Sequence, residues 1–468
     1  MIWNSDTVQR VTKGNLTDSW EATGVSIDTR TLCPGDLFVA IQAERDGHDF
    51  VNHAFKKGAS AALVAKVPNG FEEGGPLLIV HDVLTSLWDI AHFRRAETQA
   101  KIIALTGSVG KTSTKNMLRH TLSKQGKTHA AVKSYNNHLG VPLTLARMPI
   151  DADYGVFEVG MNNPGEIAPL SQLIRPHVAI VTNVGPVHLE NFNSVEEIAI
   201  EKSQIFSGLE PDGKAIINAD LPTASILVQA AEAQKAEVIT FGTQLQTDWI
   251  LKHTHQTPTS TQFEYVHKKR FGVVKLSATG EHFAWNALAT LAAIHSVGAD
   301  VALGGVDLGN WQPPVGRGVH ITIHLDPWNP EQSFKLIDDS FNANPISLIA
   351  GLKVLALDTT ASRRVAILSD MLELGPESNS IHAASAKDPV CQSISKFHCI
   401  GTGMKYFYDV LPLEKQGYWF ATAEEMASQA HAVCKVGDTV LVKGSKGSKA
   451  SVVAQKIKSM NLPSKLIS

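Results

Sequence analysis

The residues best suited to chemistry lie at 106–113. Thr106, Gly107, Ser108, Val109, Gly110, Lys111, Thr112 and Ser113 form a glycine-punctuated turn that ends in a lysine and hydroxyls. Backbone amides at a helix start, a lysine charge and a hydroxyl are what a phosphate chain needs. The common phosphate loop reads G-x-x-x-x-G-K-[ST], and its first glycine would fall at Leu105. Gly107 stands two residues later, so the loop is a shortened form. Its context is right for the chemistry. The apolar run "KIIALTG" predicts a buried strand. "TSTKNMLRHTLSKQG" predicts a helix with Met117, Leu118, Thr121 and Leu122 on one face and Gly126 as the stop. In such a strand–turn–helix, Lys111 would meet the outer phosphates and Thr112 would bind magnesium. The plain alternative is an ordinary glycine-rich turn.

Three further residues extend this set. Glu158 ends the predicted strand "YGVFE", where a carboxylate suits a magnesium ligand or an orienter of the attacking group. His188, in "NVGPVHLENF", follows another apolar run. Magnesium prefers oxygen, so a histidine ligand there is chemically unusual. Lys202, in "EEIAIEKSQIF", is by pattern a lysine on a helix face.

The elements that must position these groups alternate along the chain. A length of 468 residues suggests about three domains, and 43% hydrophobic residues suit globular cores. Residues 1–98 form a smaller α/β block. There "GVSIDTR" and "GDLFVAI" are strands on either side of a Pro34–Gly35 turn, "FVNHAFKKG" is a helix, and "ASAALVA" and "PLLIVHD" are strands. A helix over "LTSLWDIAHFRRAE" completes it. Residues 99–312 form a central block whose strands and helices predict a parallel sheet covered on both faces. "NWQPPVGRG" at 310–318 predicts a linker. Residues 313–468 alternate again, as a doubly wound α/β domain. Its strands are "FKLIDDS", "RRVAILSDM", "KFHCIGTG" and "DTVLVKGS"; its helices are "PISLIAGLKVLAL", "AEEMASQAHAVCK" and "ASVVAQKIKSM".

Composition argues against several classes. The net charge of -3 favours neither nucleic acid nor an anionic membrane. Cys33, Cys391, Cys399 and Cys434 have no metal or redox spacing, which predicts buried free thiols in a reducing compartment. The start lacks a leader pattern, and no apolar run reaches membrane length. A cytoplasmic protein without membrane contact is expected. H-E-x-x-H and G-x-S-x-G motifs are absent.

"TGSVGKTS" resembles the loop of the Mur ligase family and its folylpolyglutamate synthetase relatives, which use T-G-x-x-G-K-[ST]. The resemblance extends over nearly the whole chain. "SIDTR", "GDLFVAI" and "RDGHDF" are similar to the family's UDP-sugar domain. "SYNNHLGVPLTL" and "GMNNPGEI" are similar to its central domain, and "DDSFNANPISL", "DMLELG" and "VLVKGSKG" to its C-terminal domain. The resemblance implies three α/β domains: a small N-terminal one, a central P-loop ATPase-like one and a C-terminal Rossmann-like one. It implies an ATP-dependent ligase that joins D-alanyl-D-alanine to a UDP-N-acetylmuramoyl-tripeptide through an acyl phosphate, for peptidoglycan precursors. ATP and two magnesium ions are the implied cofactors, and a monomer is expected.

The same resemblance assigns residues. Lys111, Glu158, His188, Lys202 and Arg317 would be catalytic. Thr112, Glu158, His188 and a carbamoylated Lys202 would hold metal. The loop Thr106–Ser113, with His282, Asn286, Arg317, Asp339 and Asn342, would bind nucleotide. Ser26, Asp28, Thr29, Arg30, Asp46, Gly47, His48, Asn136, Asn137, Lys443 and Ser445 would face the substrates. The chain departs from the family pattern at Val109, Asn116, Phe341, Ser369, Lys446 and Ser448. Closure about hinges near 98–101 and 310–318 is expected, from an open ligand-free form. The rivals are the ligase that adds the preceding amino acid, a P-loop phosphotransferase and a nucleotide-dependent interaction module.

Overall fold

The computed structural model describes residues 2–71 and 74–462. Three separate sheets, each with its own apolar filling, build the α/β domains. In the N-terminal sheet, Gly24–Ser26, Asp36–Val39, Ala61–Val64 and Leu77–Ile79 run parallel. The strands flanking Pro34–Gly35 are therefore parallel neighbours, and the turn belongs to a crossover rather than a hairpin. The helix Val83–Glu97 starts on an Asp82 cap, whose side chain accepts from the Thr85 amide at 2.6 Å. Its end carries the buried Arg95. That guanidinium donates to the Ile174 and Arg175 carbonyls, each at 2.6 Å, and lies 2.9 Å from Glu210. A charge with all its bonds made across the boundary ties the first domain to the second.

The central sheet has nine strands. Thr128–Ala130, Tyr154–Glu158, Lys101–Thr106, Val178–Val181, Lys214–Asn218 and Glu237–Gly242 form its parallel part in that spatial order. Register sets Glu158 beside Leu105 and Val181 beside Thr106. The phosphate loop and Glu158 thus leave the same carboxyl edge, where α/β sheets bind ligands. The helices Lys111–Leu122 and Glu281–Ser296 fill one face around Ile103 and Leu105, and Ile167–Ile174 fills the other around Ile102 and Ala104. The sheet is not wholly parallel as expected. Trp249–Thr257 pairs parallel with Glu237–Gly242, and Ser260–His267 and Arg270–Leu276 then add an antiparallel extension. Its strands have much exposed surface, so they lack the continuous apolar runs that marked the buried ones.

The C-terminal sheet contains the four expected strands, Ser333–Asp339, Thr439–Lys443, Arg364–Ser369 and Lys396–Ile400. Two edge strands escaped the sequence reading, Val319–His324 and Gln416–Phe420. Their exposed faces dilute the apolar pattern. The segment read as a linker is pinned at its start. Trp311 is buried and meets Phe283 edge-on at 5.3 Å. The C-terminal domain is also seated against the central one, unlike the open form expected. His188 Nδ1 lies 2.6 Å from Glu373 Oε2, and Ile346 packs over Gly185. This polar contact and the apolar one join the two domains. Of the four free cysteines, Cys33 is exposed and the others buried.

Buried His398 gives the fold a pH dependence. The Tyr418 amide donates to its Nδ1 at 2.9 Å, a bond that requires an unprotonated nitrogen. Burial lowers its pKa from 6.5 to about 4. The unfolded chain therefore binds more protons in that interval, and stability present above pH 6.5 is lost as pH falls to about 4. The urea midpoint is expected to drop across this window. His398→Asn, which cannot protonate, should remove about 2–3 kcal/mol of that pH-dependent change. An unaltered pH profile in the variant would rule out this source.

Candidate active site

Two glycines shape the phosphate loop. Gly107 has φ +154°, and a Cβ there would run into the Thr182 hydroxyl. Gly110 has φ +87°, and a Cβ would sit 2.5 Å from Asn286 Oδ1. Neither position has room for a side chain. The loop is braced from the next strand's end. The Ser108 amide donates to the Asn183 carbonyl at 2.9 Å, and the Thr182 hydroxyl to the Val109 carbonyl at 2.7 Å. Ser108 Oγ donates to the Gly185 carbonyl and accepts from its amide. Val109 acts in this bracing through its backbone, so the departure in its side chain leaves it intact.

Beyond the loop, Lys111 opens the helix and its ammonium donates back to the Gly107 carbonyl. Desolvation pushes its pKa down, while Glu158 pulls it up. Glu158 is buried and accepts from Thr112 at 3.1 and 3.0 Å and from Asn136 Nδ2 at 2.9 Å. The Lys115 ammonium lies 3.4 Å from its second oxygen. Thr112 and Glu158 place hard oxygen donors beside the loop, the chemistry a magnesium ion needs. Among the described residues, no cluster of three or more His, Cys, Asp or Glu forms a ready metal cage.

A cavity of about 550 Å³ separates this edge from the C-terminal domain. Ser108–Ser113, Asn136, Asn137, Glu158, His188, His282 and Asn286 line its central-domain side. Arg317, Asp339, Asn342, Lys443 and Ser445 line the opposite side. Thr106 and Gly107 carry the loop from behind. Asn286 Nδ2 is buried on the cavity wall and makes no hydrogen bond among the described residues. Burial lowers the pKa of His282 to about 4, keeping its ring neutral. Arg317 lies over the Phe341 ring at 4.3 Å, so phenylalanine in place of the family's usual tyrosine preserves a cation–π seat.

Other expected residues stand differently. His188, expected as a metal ligand, directs Nδ1 to Glu373 of the other domain. Lys202 lies buried outside the cavity lining. Burial, then the nearby Lys111 charge, pushes its pKa far down. Its neighbour Glu201 accepts from the Gly165 and Ile167 amides, at 2.8 and 3.0 Å, and gives Lys202 no hydrogen bond. Lys443 and Ser445, expected to face substrate, hold the chain itself. Lys443 Nζ donates to Asp339 at 2.6 Å and to the Asn342 carbonyl at 3.0 Å. Burial raises the Asp339 pKa against the pull of Lys443. Ser445 donates to the Ala343 carbonyl and accepts from the Leu372 amide.

The N-terminal set lies outside this cavity. Arg30 clasps Asp28 through two nitrogens, which with the Arg30 amide lowers the Asp28 pKa to about 2. Ser26 is buried and donates to the Asp28 carbonyl, with Thr29 buried beside them. His48 is held on both ring nitrogens. Its Nδ1 meets Asp46 at 2.6 Å and its Nε2 accepts from the Ala65 amide at 2.8 Å, so the ring has no free nitrogen for substrate. Gly47 packs its Cα against the Ala40–Ile41 backbone. Asp46, Gly47 and His48 form a loop brace. Sequence reasoning missed Lys115, Ser134 and Glu373. The signal for Lys115 was its place one helical turn after Lys111, on the face that looks at Glu158.

A phosphate loop and buried carboxylate at a parallel sheet's edge, closed over by a second α/β domain carrying arginine and lysine, define an ATP-dependent ligase. The chain belongs to the Mur ligase family. Residues 105–294 match the model of the Mur ligase middle domain, and residues 328–446 that of the Mur ligase glutamate ligase domain. A UDP-N-acetylmuramoyl-tripeptide–D-alanyl-D-alanine ligase of Rickettsia prowazekii (strain Madrid E) is 32% identical over 96% of this chain and 98% of its own. The ligase of the same name from Escherichia coli (strain K12) is 35% identical over 90% of each. The crystal structure of MurF from Acinetobacter baumannii superposes with a TM-score of 0.83 at 27% identity, covering 98% of this chain and 99% of that one. Gly110→Ala is expected to weaken ADP binding at least about tenfold, or about 1.4 kcal/mol, and to lower the urea midpoint through the strain of a Cβ at positive φ. Titration calorimetry measures it; unchanged affinity would place the nucleotide elsewhere.

Proposed function

We propose that this protein joins D-alanyl-D-alanine to UDP-N-acetylmuramoyl-tripeptide, using ATP, in the cytoplasmic assembly of peptidoglycan precursors. The observation that carries the reading is the cavity itself. It sets a phosphate loop against cationic groups of a second domain, in a chain that matches ligases of that name over almost its whole length. Residues 1–98 would hold the UDP-sugar, 99–312 the ATP and 313–468 the dipeptide. The same proposal takes the protein to act as a monomer. Among the described residues no helix is long and apolar enough to cross a membrane.

Carboxylates do not condense with amines in water, because the departing oxygen is a poor leaving group. In the proposed reaction, the tripeptide carboxylate attacks the γ-phosphorus of ATP and ADP leaves, giving an acyl phosphate. Lys111 and Arg317 would sit by the phosphoryl oxygens and stabilise their spreading charge. The unprotonated amine of the dipeptide then attacks the acyl carbon. The tetrahedral intermediate expels phosphate, and the nitrogen loses a proton to leave the amide. Asn286 and His282 would seat the adenine, and Asp339 and Asn342 the ribose side. The contact of the C-terminal domain across the cavity would keep water from the acyl phosphate.

Magnesium, when bound, neutralises phosphate charge and polarises the phosphoryl group. Thr112 and Glu158 would hold it. His188 would join through its other nitrogen, and Lys202 once carbamoylated, for two ions in all. Burial and the nearby Lys111 charge favour the neutral amine of Lys202, the form that takes up carbon dioxide.

Phosphate release from ATP, magnesium and the UDP-tripeptide is expected only when D-alanyl-D-alanine is added, with a product heavier by that unit. Release independent of the dipeptide would point to another acceptor. Incubation with 13C-bicarbonate should give a carbamate carbon resonance that Lys202→Arg lacks. The same signal in the variant would move the modification to another lysine.

A further inference from the structure

Lys115 is a fully buried lysine on the helix that opens at Lys111, one turn past the buried Thr112 and one turn before the buried Leu118. A buried ammonium costs several kcal/mol of lost hydration unless its partners are well placed. Lys115 has two. Its Nζ donates to the Lys133 carbonyl at 2.8 Å and lies 3.4 Å from Glu158 Oε2. Burial pushes its pKa down while Glu158 pulls it back up. The same amine therefore touches the buried carboxylate of the phosphate edge and the backbone of the segment that leads to Asn136.

That segment is held at further points on the same side. Ser134 Oγ lies 3.3 Å from the Thr112 hydroxyl, and Asn136 Nδ2 donates to Glu158 at 2.9 Å. The Gly160 amide donates to the Asn136 carbonyl at 2.8 Å. Its other side meets the N-terminal domain. Tyr135 lies under the Arg147 guanidinium at 5.8 Å, and Arg147 Nε donates to the Val25 carbonyl at 2.5 Å. Val25 lies in the strand that leads into the Asp28–Arg30 clasp, and the Lys133 charge reaches Asp28. A continuous run of contacts thus joins the N-terminal domain to Glu158, and Lys115 is its fixed point in the central domain.

We infer that Lys115 is a positioning residue, which locks the 133–136 segment and Glu158 into one unit so that the UDP-substrate and the phosphate loop are aligned together. The inference rests on the ligase reading for its catalytic consequence. It makes no claim that Lys115 touches substrate. Its effect should fall on turnover and on the coupling of the two substrate sites, and little on nucleotide affinity alone.

The test compares the full-length wild type with Lys115→Met, Lys115→Gln and Lys115→Arg. Methionine keeps the stem and removes the charge; glutamine retains a donor for the Lys133 carbonyl; arginine retains the charge. In Lys115→Met, kcat should fall at least about 100-fold while the Kd for ADP, by calorimetry, stays within about threefold. Lys115→Arg should recover part of the loss. A kcat within about threefold of wild type in Lys115→Met would overturn the inference. So would a parallel fall in kcat, ADP affinity and urea midpoint, which is the mark of a merely structural lysine. If Lys115→Met does not fold, Lys115→Gln is judged by the same criteria. If the wild type shows no dipeptide-dependent phosphate release, the ligase reading fails by itself. The inference then stands or falls on binding: the effect of ADP on the Kd for UDP-N-acetylmuramoyl-tripeptide should be present in wild type and lost in the variants. The same coupling in all of them, or none in wild type, would overturn it.

Discussion

The buried carboxylate of Glu158 is the interaction on which the site depends. Thr112 reaches it from the start of the loop helix, Lys115 from the next turn and Asn136 from a neighbouring segment. A carboxylate removed from water is stable only when such donors surround it. Those donors bring three parts of the chain to one point. The parallel register of Tyr154–Glu158 against Lys101–Thr106 makes the meeting possible, since it puts the carboxylate and the loop at the same edge. Shifting that strand by one residue would turn the side chain to the other face.

Around this point the charges are arranged in opposition. Lys111, Lys115 and Arg317 all feel Glu158, and all are pushed toward neutrality by burial. Burial and the Lys111 charge push Lys202 far in the same direction. A cluster of cations with too few anions is unfavourable in a dry site. It suits a site whose ligand brings several negative charges, as a nucleotide triphosphate does. Asn286 tells the same story for a neutral group, because its amide nitrogen is buried on the cavity wall and makes no hydrogen bond among the described residues.

The interdomain contacts are built from different material. Arg95 makes its bonds to carbonyls at the end of a helix in the second domain, which fixes the first domain in place. The C-terminal domain meets the centre through the His188–Glu373 contact and Ile346 over Gly185, with the cavity lying between. One junction is backbone-bonded and buried. The other rests on side chains beside the cavity, the kind of contact a closing domain can make and release.

The amino-acid sequence by itself determined the local chemistry. The shortened loop was legible because glycine, lysine and threonine follow an apolar strand and open a helix. The buried parallel strands were legible because two covered faces demand continuous apolar runs. The bracing within the N-terminal loop was not legible, since Asp46 and His48 are as polar as a binding pair, and only the fold shows both ring nitrogens satisfied. Lys443 and Ser445 line the cavity and also brace the chain, a second role that no local pattern marked. The antiparallel extension and the two edge strands were obscured by their exposed faces. Tertiary structure alone decided which polar groups are left without partners and which lysines are dry. Lys115 and Lys202 are both lysines on helices, and helical spacing places them on a face without showing that the face is dry. Their character comes from burial and from carboxylates and cations distant in sequence, and a hydrogen bond across many residues leaves no periodic trace in the chain.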